Sequence, residues 1–515
     1  MGWEREIEEL RTRERLAREM GGKEKIERQR SGGKLTVRER IEQLLDPGSF
    51  HEIGAIAGKA RYGEDGRLLE FAPANFVMGR GRIDGRTVVV GGDDFTVRGG
   101  AMDAAIGSKQ VYAEQMAHEL RLPIVRLVDG TGGGGSVRTL ESDGRTYVPY
   151  NQGWDWVIAN LATVPVVGLA LGSVAGLGAS RLVTSHYSVM VRGISQVFIA
   201  GPPLVAHTGE TVSKEELGGS EICSRSGTVD VVVESEAEAF DCARRFLSYL
   251  PQSVYELPPR GPVTDDAARR DEWLIGAIPS DRRKVYDMRR ILKSVLDHDS
   301  FFEIARQYGR SVITALARLD GWPVAVMGSD PHFHGGGWTA DSSIKLTRFI
   351  DFATTFHLPV VNLVDVPGFL IGTAAEAQGT MRHGARALAA LYQADVPWCS
   401  VLVRRAFGVA GAAHANHTRL AYRYAWPSGD WGSLPVEGGI EAAYRAELAA
   451  VADPAKRRDE LERHLNQFRS PFRTAEAFLV EEIIDPRDTR PLLCEFANLA
   501  APLRRAGTVS PQYRP

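Results

Sequence analysis

One apolar stretch of this 515-residue chain occurs twice. Leu122–Gly132 (LPIVRLVDGTG) and Leu358–Gly368 (LPVVNLVDVPG) share an apolar run, an Asp after it, and a loop that contains Gly. Such a run predicts a buried strand that ends where the loop begins. Further matched pairs follow in the same order along the chain: Arg38–Ile53 with Met288–Ile304, Asp84–Gly85 with Asp320–Gly321, Lys109 with Lys345, Asp129 with Asp365, and Val164–Ala179 with Val396–Ala412. This shared order predicts an internal duplication.

The duplication also predicts the domain organisation. A chain of this length exceeds what one hydrophobic core supports. We therefore expect residues 1–255 to form an N-terminal domain and residues 286–515 a C-terminal domain. Residues 256–285 are rich in Pro and charge, which is typical of a linker. In each half the apolar strands are separated by helical segments, and this alternation predicts an α/β fold with parallel strands.

Composition excludes several classes of protein. The chain is 43% hydrophobic and 25% charged, with a formal net charge of -3. Basic and acidic residues are interspersed, which argues against binding to nucleic acid or to an anionic membrane. No apolar run reaches the roughly 18 residues of a membrane span, and the charged N-terminus does not resemble a signal peptide. With only four scattered cysteines, we expect a cytoplasmic protein without a disulfide framework.

A Gly-rich turn follows an apolar strand in each half of the chain. The two turns are Ala175–Gly178 and Phe407–Gly411. Small residues at a strand-to-helix turn leave adjacent backbone N–H groups open, and the helix that follows adds its positive end. Such paired amides are suited to hold an enolate or another oxyanion. The alternative is a tight strand–helix crossing that accepts only small side chains.

Other candidate sites carry weaker signals. The loop Gly130–Tyr147 lacks the GK[ST] of a phosphate-binding loop, so it is either a ligand-binding loop or a solvated one. His332 and His334 alternate as metal ligands can, but no third ligand is near in sequence, so we predict no metal site. His414 and His417 have helical spacing and are equally consistent with a solvated face. No Ser–His–Asp order, carboxylate pair or dinucleotide fingerprint stands out.

Several longer motifs resemble those of one family. They are Asp94–Gly100, Gly201–Gly219, Leu296–Ile304, Asp365–Phe369 (DVPGF), Met381–Arg386 (MRHGAR) and Tyr424–Gly429 (YAWPSG). Through them the chain resembles the carboxyltransferase (β) subunits of biotin-dependent acyl-CoA carboxylases, such as propionyl-CoA carboxylase, over nearly its whole length. The resemblance implies two duplicated crotonase-like domains, each a ββα superhelix of the α/β class.

The resemblance further implies an activity and its partners. Family members transfer CO2 from carboxybiotin to the α carbon of an acyl-CoA through an enolate. Acyl-CoA is expected on the N-terminal domain, and biotin on the C-terminal domain of a neighbouring subunit in a dimer-based hexamer. The sequence shows no ATP-binding domain and no MKM biotinylation motif, so biotin is expected to arrive on a separate biotin carboxylase or biotin carrier partner.

The family motifs also imply roles for the two turns. The amides of Gly176 and Leu177 are expected to face the thioester oxygen, and those of Val409 and Ala410 the biotin carbonyl. The substrate-binding positions that the family implies are Gly132, Gly133, Gly134, Gly178, Gly408, Gly411 and Ala412. Because biotin supplies the acid–base chemistry, such a site needs positioning and amide donors rather than a catalytic side chain.

The chain departs from the family pattern at these turns. Family members usually have paired glycines at positions 176–177 and Gly–Ala at positions 409–410. An acidic residue near Ala412, linked in the family to the choice of acyl group, is missing, so we expect an acyl group other than acetyl or propionyl. Three alternatives stay open: a biotin-linked decarboxylase or transcarboxylase subunit, a non-catalytic scaffold, and a biotin-free crotonase-type enzyme.

Overall fold

The computed structural model describes residues 2–100, 106–130, 141, 144–417, 420, 422–511 and 513–515. It divides into two compact units. The first unit contains residues 1–256 and the last residues of the chain, 512–515, and the second contains residues 257–511. Within the described residues, no helix is long and apolar enough to cross a membrane.

The first unit is built on a seven-stranded sheet of order β1-β4-β5-β6-β7-β9-β11. Strands β1, β4 and β5 pair antiparallel, and β5, β6, β7, β9 and β11 pair parallel. Two smaller sheets stand apart, β2–β3 antiparallel and β8–β10 parallel. The strand bounds are β1 His51–Ile53, β2 Gly58–Tyr62, β3 Leu68–Pro73, β4 Phe76–Ile83, β5 Arg86–Asp93, β6 Ile124–Val128, β7 Val166–Ala170, β8 Ser173–Ala175, β9 Tyr187–Val191, β10 Gln196–Phe198 and β11 Val231–Val233.

Helices connect the parallel strands of the first unit. Their bounds are α1 Glu4–Arg18, α2 Lys23–Ser31, α3 Val37–Leu44, α4 Gly107–Leu120, α5 Trp154–Asn160, α6 Leu177–Val183, α7 Pro202–Val205, α8 Lys214–Gly218, α9 Ser220–Arg225 and α10 Glu236–Ser248. Helix α3 begins with a capping box in which the Thr36 side chain accepts from the Glu39 N–H and the Glu39 carboxylate accepts from the Thr36 N–H. All five residues of the central strand β6 are buried.

The second unit repeats this plan with an eight-stranded sheet. Its order is β12-β13-β14-β15-β16-β17-β19, and β18 pairs with the end of β16. Strands β12 to β14 pair antiparallel, and the strands from β14 onward pair parallel. The bounds are β12 Phe302–Ile304, β13 Val312–Leu319, β14 Trp322–Ser329, β15 Val360–Val366, β16 Trp398–Phe407, β17 Tyr422–Ala425, β18 Asp430–Gly432 and β19 Glu482–Ile483.

The helices of the second unit pack around that sheet. Their bounds are α11 Met288–Val295, α12 Ala340–Thr355, α13 Thr373–Ala377, α14 Thr380–Gln393, α15 Gly408–Ala412, α16 Val436–Ala443, α17 Arg445–Ala450, α18 Pro454–Asn466, α19 Pro471–Glu476 and α20 Thr489–Ala500. Residues 256–285, the expected linker, include a short 3-10 turn at Glu272–Gly276. Leu274 from this turn lies in the same buried cluster as α11, α20 and the sheet.

The two units match in hydrogen-bonding register. Ile124 of β6 lies opposite Val166 of β7, and Val360 of β15 lies opposite Trp398 of β16. Ile124 and Val360 lie at the same distance along the chain from the matched residues Asp129 and Asp365. The duplication extends to the turns. Asp46 accepts from the N–H groups of Asp84 and Gly85, just as Asp297 accepts from Asp320 and Gly321. The predicted α/β class and the internal duplication are both confirmed.

Candidate active site

The first Gly-rich turn ends a small parallel ladder. Strand β8 pairs with β10 and then reaches Gly176, whose φ of 57° lies in the left-handed region that glycine adopts without strain. Helix α6 begins at the next residue, Leu177. The Gly176 N–H donates to the Ile199 carbonyl oxygen at 3.1 Å. Of the two amides expected at this turn, the one from Gly176 is therefore already bonded within the protein.

The next N–H groups of the first turn are open. Leu177 and Gly178 are the first residues of α6, and the first N–H groups of a helix have no partner inside it. Among the residues that the structure describes, neither N–H has a hydrogen-bond acceptor. Leu177 is partly exposed and Gly178 is buried. The adjacent donors that the structure leaves open at this turn are thus Leu177 and Gly178.

The second turn has the same construction. The end of β16 pairs with β18 in parallel, Gly408 follows with a φ of 61°, and α15 begins there. The N–H groups of Val409 and Ala410 have no acceptor in the described part of the chain. The Val409 side chain is 55% exposed and stands at the rim of the turn, whereas Ala410 is 1% exposed and faces the interior.

Close backbone packing fixes the composition of the second turn. A Cβ on Gly411 would lie 2.4 Å from the carbonyl carbon of Ala406, so only glycine fits there. Ala412, near which the resemblance implies an acidic residue, is exposed. His414 follows, with its Nδ1 2.8 Å from the Gly411 oxygen and its Nε2 3.3 Å from Arg423 Nη1. Burial lowers the pKa of His414 to about 4, so the imidazole is neutral and holds the Gly411 carbonyl by its Nδ1–H.

The Asp that ends β6 is a structural ion-pair partner. Asp129 is fully buried, with Lys34 Nζ at 2.7 Å and Arg40 Nη1 at 2.8 Å. Burial lowers the pKa of Lys34 more than the neighbouring carboxylate raises it. A Cβ on Gly172 would overlap both the Asp129 carboxylate and Lys34 Nζ, so the glycine leaves the space that the lysine fills. This carboxylate is held by cations and is not placed as a base.

The matching Asp of the second unit is paired with a different set of residues. Asp365 is fully buried and accepts from Arg404, from Arg405 and from the Tyr286 hydroxyl. Burial alone would raise the pKa of Asp365, but the hydrogen bonds and charges of Arg405 and Arg404 outweigh it and hold the pKa below its usual value. Since Arg405 lies three positions before Gly408, this cluster fixes the strand end that carries the second turn.

The remaining predicted positions differ in outcome. Gly132, Gly133 and Gly134 lie outside the described residues. His332 has its Nδ1 3.2 Å from Asp330 Oδ1. The described residues contain no group of three or more His, Cys, Asp or Glu side chains that could hold a metal ion. Sequence reasoning missed the supporting residues behind the turns, although an Arg inside the apolar run of β6 was a usable signal.

Comparison with known proteins decides the family. The profile of the carboxyl transferase domain matches residues 28–509, nearly the whole chain. The chain belongs to the carboxyl transferase family. It is 34% identical to the carboxyltransferase subunit of propionyl-CoA carboxylase from Haloferax mediterranei, over 95% of each chain. It is also 31% identical to the alpha subunit of methylmalonyl-CoA decarboxylase from Veillonella parvula, over 94% of this chain and 93% of the relative.

A solved structure agrees with this family assignment. The chain superposes on transcarboxylase 12S with a TM-score of 0.86 and 31% identity, covering 99% of this chain and 97% of the other. That protein was crystallised as a hexamer with methylmalonyl-coenzyme A and methylmalonic acid bound. The expected fold of two duplicated crotonase-like domains is confirmed. The chain is an enzyme of the acyl-CoA carboxyltransferase class, as the sequence motifs predicted.

Proposed function

We propose that this carboxyl transferase moves CO2 from carboxybiotin to the α carbon of an acyl-CoA. The observation that carries the proposal is the pair of Gly-led turns, each at the end of a parallel ladder and each with adjacent open amides. Two such turns match a reaction with two carbonyl groups to be polarised, one on the thioester and one on the biotin ureido ring. The open amides lie on the backbone, so the bulky side chains at positions 177 and 409 do not remove the donors.

The first turn is assigned to the thioester. With the Gly176 N–H bonded to Ile199, the donors to the thioester oxygen are the N–H groups of Leu177 and Gly178. They hold the charge that develops on this oxygen when the α proton leaves, and each such donor contributes about 3 kcal/mol. Gly176, in the left-handed backbone conformation, sets the direction in which α6 begins. Gly132, Gly133 and Gly134 complete the proposed acyl-CoA side.

The second turn is assigned to biotin. The residues present fit a small planar ureido carbonyl, because Ala410 and Gly411 are small and the N–H groups of Val409 and Ala410 are open. Gly408 and Ala412 flank these donors. When bound, carboxybiotin supplies the CO2 and a ureido nitrogen that accepts the α proton. The protein holds the ureido oxygen, orients the ring and keeps both groups in place.

A biotin-bearing partner and an oligomer are part of the same proposal. We propose that a biotin carboxylase or biotin carrier subunit delivers the cofactor, and that the chain assembles into a homo-oligomer, a dimer-based hexamer. The proposed hexamer is supported by the hexamer of the 12S transcarboxylase, a relative whose whole length this chain nearly covers. The domain assignment is acyl-CoA on the first unit and biotin on the second.

The test begins with the protein purified from its own cells. Proteins that co-purify are probed for biotin, and the complex is supplied with ATP, labelled bicarbonate and a panel of acyl-CoA thioesters. Label in an acyl-CoA, dependent on a biotinylated partner, is the expected result. If no biotinylated partner is found, and an added biotin carboxylase also leaves every thioester unlabelled, the proposal fails.

The reverse direction is a specific second candidate, because a methylmalonyl-CoA decarboxylase subunit is among the relatives. In that case CO2 is transferred from a carboxyacyl-CoA to biotin while the same two turns hold the two carbonyl groups. The complex is given methylmalonyl-CoA without ATP or bicarbonate. Rapid loss of CO2, coupled to a partner that spans a membrane, identifies a decarboxylase, whereas an ATP-dependent partner identifies a carboxylase.

A further inference from the structure

An arginine lies inside the central strand of the first unit. Arg126 is the middle residue of β6 and only 1% exposed. Its Nε and Nη2 donate to the two carboxylate oxygens of Glu114 at 2.7 and 2.8 Å. Its Nη1 donates to the carbonyl oxygens of Arg181 at 2.9 Å and Thr184 at 2.5 Å. One buried guanidinium thus joins helix α4, strand β6 and the end of helix α6.

The carboxylate partner is equally buried. Glu114 is 2% exposed and also accepts from Asn160 Nδ2 at 3.0 Å. Burial alone would raise the pKa of Glu114, but the charge and hydrogen bonds of Arg126 outweigh it and keep the pKa below its usual value. A buried ion pair generally contributes less to stability than apolar residues of the same volume, because both charges lose their water. Its presence in an apolar strand therefore calls for a role other than stability.

The carbonyl groups that Arg126 holds point to this role. They belong to Arg181 and Thr184, at the C-terminal end of α6, and the N-terminal end of the same seven-residue helix carries the open amides of Leu177 and Gly178. A helix of this length is only about 10 Å long and moves as one body. Fixing its far end from the interior of the sheet also fixes where the two amide donors lie.

The second unit fixes its turn at the same place by neutral groups. Asn362 occupies the middle of the matching strand β15, and its Nδ2 lies 3.4 Å from the His414 carbonyl oxygen. Trp398 Nε1 and Ser400 Oγ donate to the same oxygen at 2.8 and 2.6 Å. His414 follows α15, the helix of the second turn. Both units therefore fasten the far end of the turn helix from the sheet, but only the first uses a charged pair.

We propose that Arg126, oriented by Glu114, is the positioning residue that holds the Leu177 and Gly178 amides in register with the thioester carbonyl. This inference rests on the proposed function of the first turn. Arg126 does not touch the substrate. It sets the place of α6, so its loss is expected to weaken the polarisation of the bound carbonyl rather than the binding of the CoA moiety.

The test uses the thioester carbonyl itself as a probe, in whichever acyl-CoA of the thioester panel the wild type carboxylates fastest, labelled with 13C at the carbonyl carbon. The double substitution Arg126→Met with Glu114→Leu removes both charges of this pair, so neither is left buried without its partner and the fold is expected to persist. We expect the variant to bind the probe within about twofold of the wild type, to lose the downfield 13C shift of the bound carbonyl, and to lose about 100-fold in kcat. Arg126→Lys keeps the charge but not the fork of donors, and is expected to fall between the two.

The controls separate this inference from the function on which it rests. Asn362→Leu alters the matching contact in the second unit and should leave the 13C shift unchanged. A folded double variant that keeps the full shift overturns the positioning role, as does an Arg126→Lys variant identical to the wild type. If the wild type itself shows no shift, or does not bind the thioester, the proposed role of the first turn is wrong.

Discussion

At the scale of single residues, the two turns show how a backbone donor can be kept while its side chain changes. Leu177 is the first residue of α6 and Val409 the second residue of α15, and a glycine with a positive φ precedes each of them. The constraint on the chain therefore falls on Gly176 and Gly408 rather than on the donors. A side chain at position 177 or 409 changes the space around the donor but not the donor.

Val409→Gly tests this distinction. The Val409 side chain is 55% exposed at the rim of the second turn, and its removal widens the approach to the Val409 and Ala410 amides. We expect the folded variant to turn over free biotin faster than the wild type, in an assay of acyl-CoA carboxylation or its reversal. Val263→Gly, at a similarly exposed valine of the second unit outside the turns, is the control. Slower turnover by Val409→Gly would show that the valine supports the turn instead of narrowing it.

The buried imidazole behind this turn predicts a pH dependence of stability. Burial lowers the pKa of His414 to about 4, against an ordinary value near 6.5, in a setting that contains Arg423, His417 and Glu481. Below pH ~6.5 the His414 imidazole takes up a proton in the unfolded chain but stays neutral in the folded chain. The contribution of His414 to the free energy of unfolding is therefore fully present above that pH. It decreases by up to about 3 kcal/mol as the pH falls to about 4.

The measurement compares the wild type with His414→Gln, which does not titrate. Urea unfolding at a series of pH values gives the free energy of unfolding of each. The wild type is expected to lose more stability than the variant between pH ~6.5 and pH ~4, while the carboxylates of the chain contribute equally to both. Parallel curves for the two proteins would mean that the pKa of His414 is the same in the folded and the unfolded chain.

At the scale of elements, the sequence predicted the strands, the duplication and the place of both turns. The apolar runs before Asp129 and Asp365 indicated the strands, and the small residues after the next apolar run of each half indicated the turns, because burial and turn residues are local signals. It did not predict that the Ile199 carbonyl oxygen accepts a hydrogen bond from the Gly176 N–H, since that bond joins residues brought together by the β8–β10 pairing. Nor did it predict the cations that surround Asp129, which come from α3 and the segment before it.

Asp365 links three elements and should be sensitive to loss of charge. Asp365→Asn leaves Arg404 and Arg405 buried or half-buried without their carboxylate. Removing one partner of a buried pair costs about 3–5 kcal/mol, and the strand end before Gly408 loses its anchor. We expect a decrease of about 3 kcal/mol in the free energy of unfolding, measured by urea denaturation, together with a loss of turnover.

The control for this change is Asp395→Asn, an exposed aspartate of the same unit. Its effect is expected to stay within about 0.5 kcal/mol. An Asp365→Asn protein as stable as the control would show that the two arginines find other acceptors, and the cluster would then not be an anchor of the second turn.

At the scale of the whole molecule, duplication gives one chain two copies of the same Gly-led turn with open backbone amides. The sheet register, the Asp at the strand end and the Gly-led turn recur in both units. The surroundings differ: a buried charged pair holds the far end of the first turn helix, whereas neutral side chains hold the far end of the second. Two copies with separate supports allow each turn to adapt to its own carbonyl without altering the other.

Matched proline substitutions test this division of labour. Proline is tolerated in the first turn of a helix, where its missing N–H removes no helical hydrogen bond. Leu177→Pro and Val409→Pro each delete one open donor in the first turn of its helix. Each variant is expected to lose about 100-fold or more in kcat for carboxyl transfer, with the free energy of unfolding close to that of the wild type.

The two proline variants should differ in which substrate they affect. With the acyl-CoA that the wild type carboxylates fastest, labelled with 13C at the carbonyl carbon, Leu177→Pro is expected to lose the downfield 13C shift of the bound thioester, and Val409→Pro to keep it. With carboxybiotin alone, release of CO2 should be slow in Val409→Pro and normal in Leu177→Pro. The opposite pattern would exchange the assignments of the two turns. Loss of both signals in either variant would mean that the turns act as one site, because a donor on one unit would then govern the carbonyl assigned to the other.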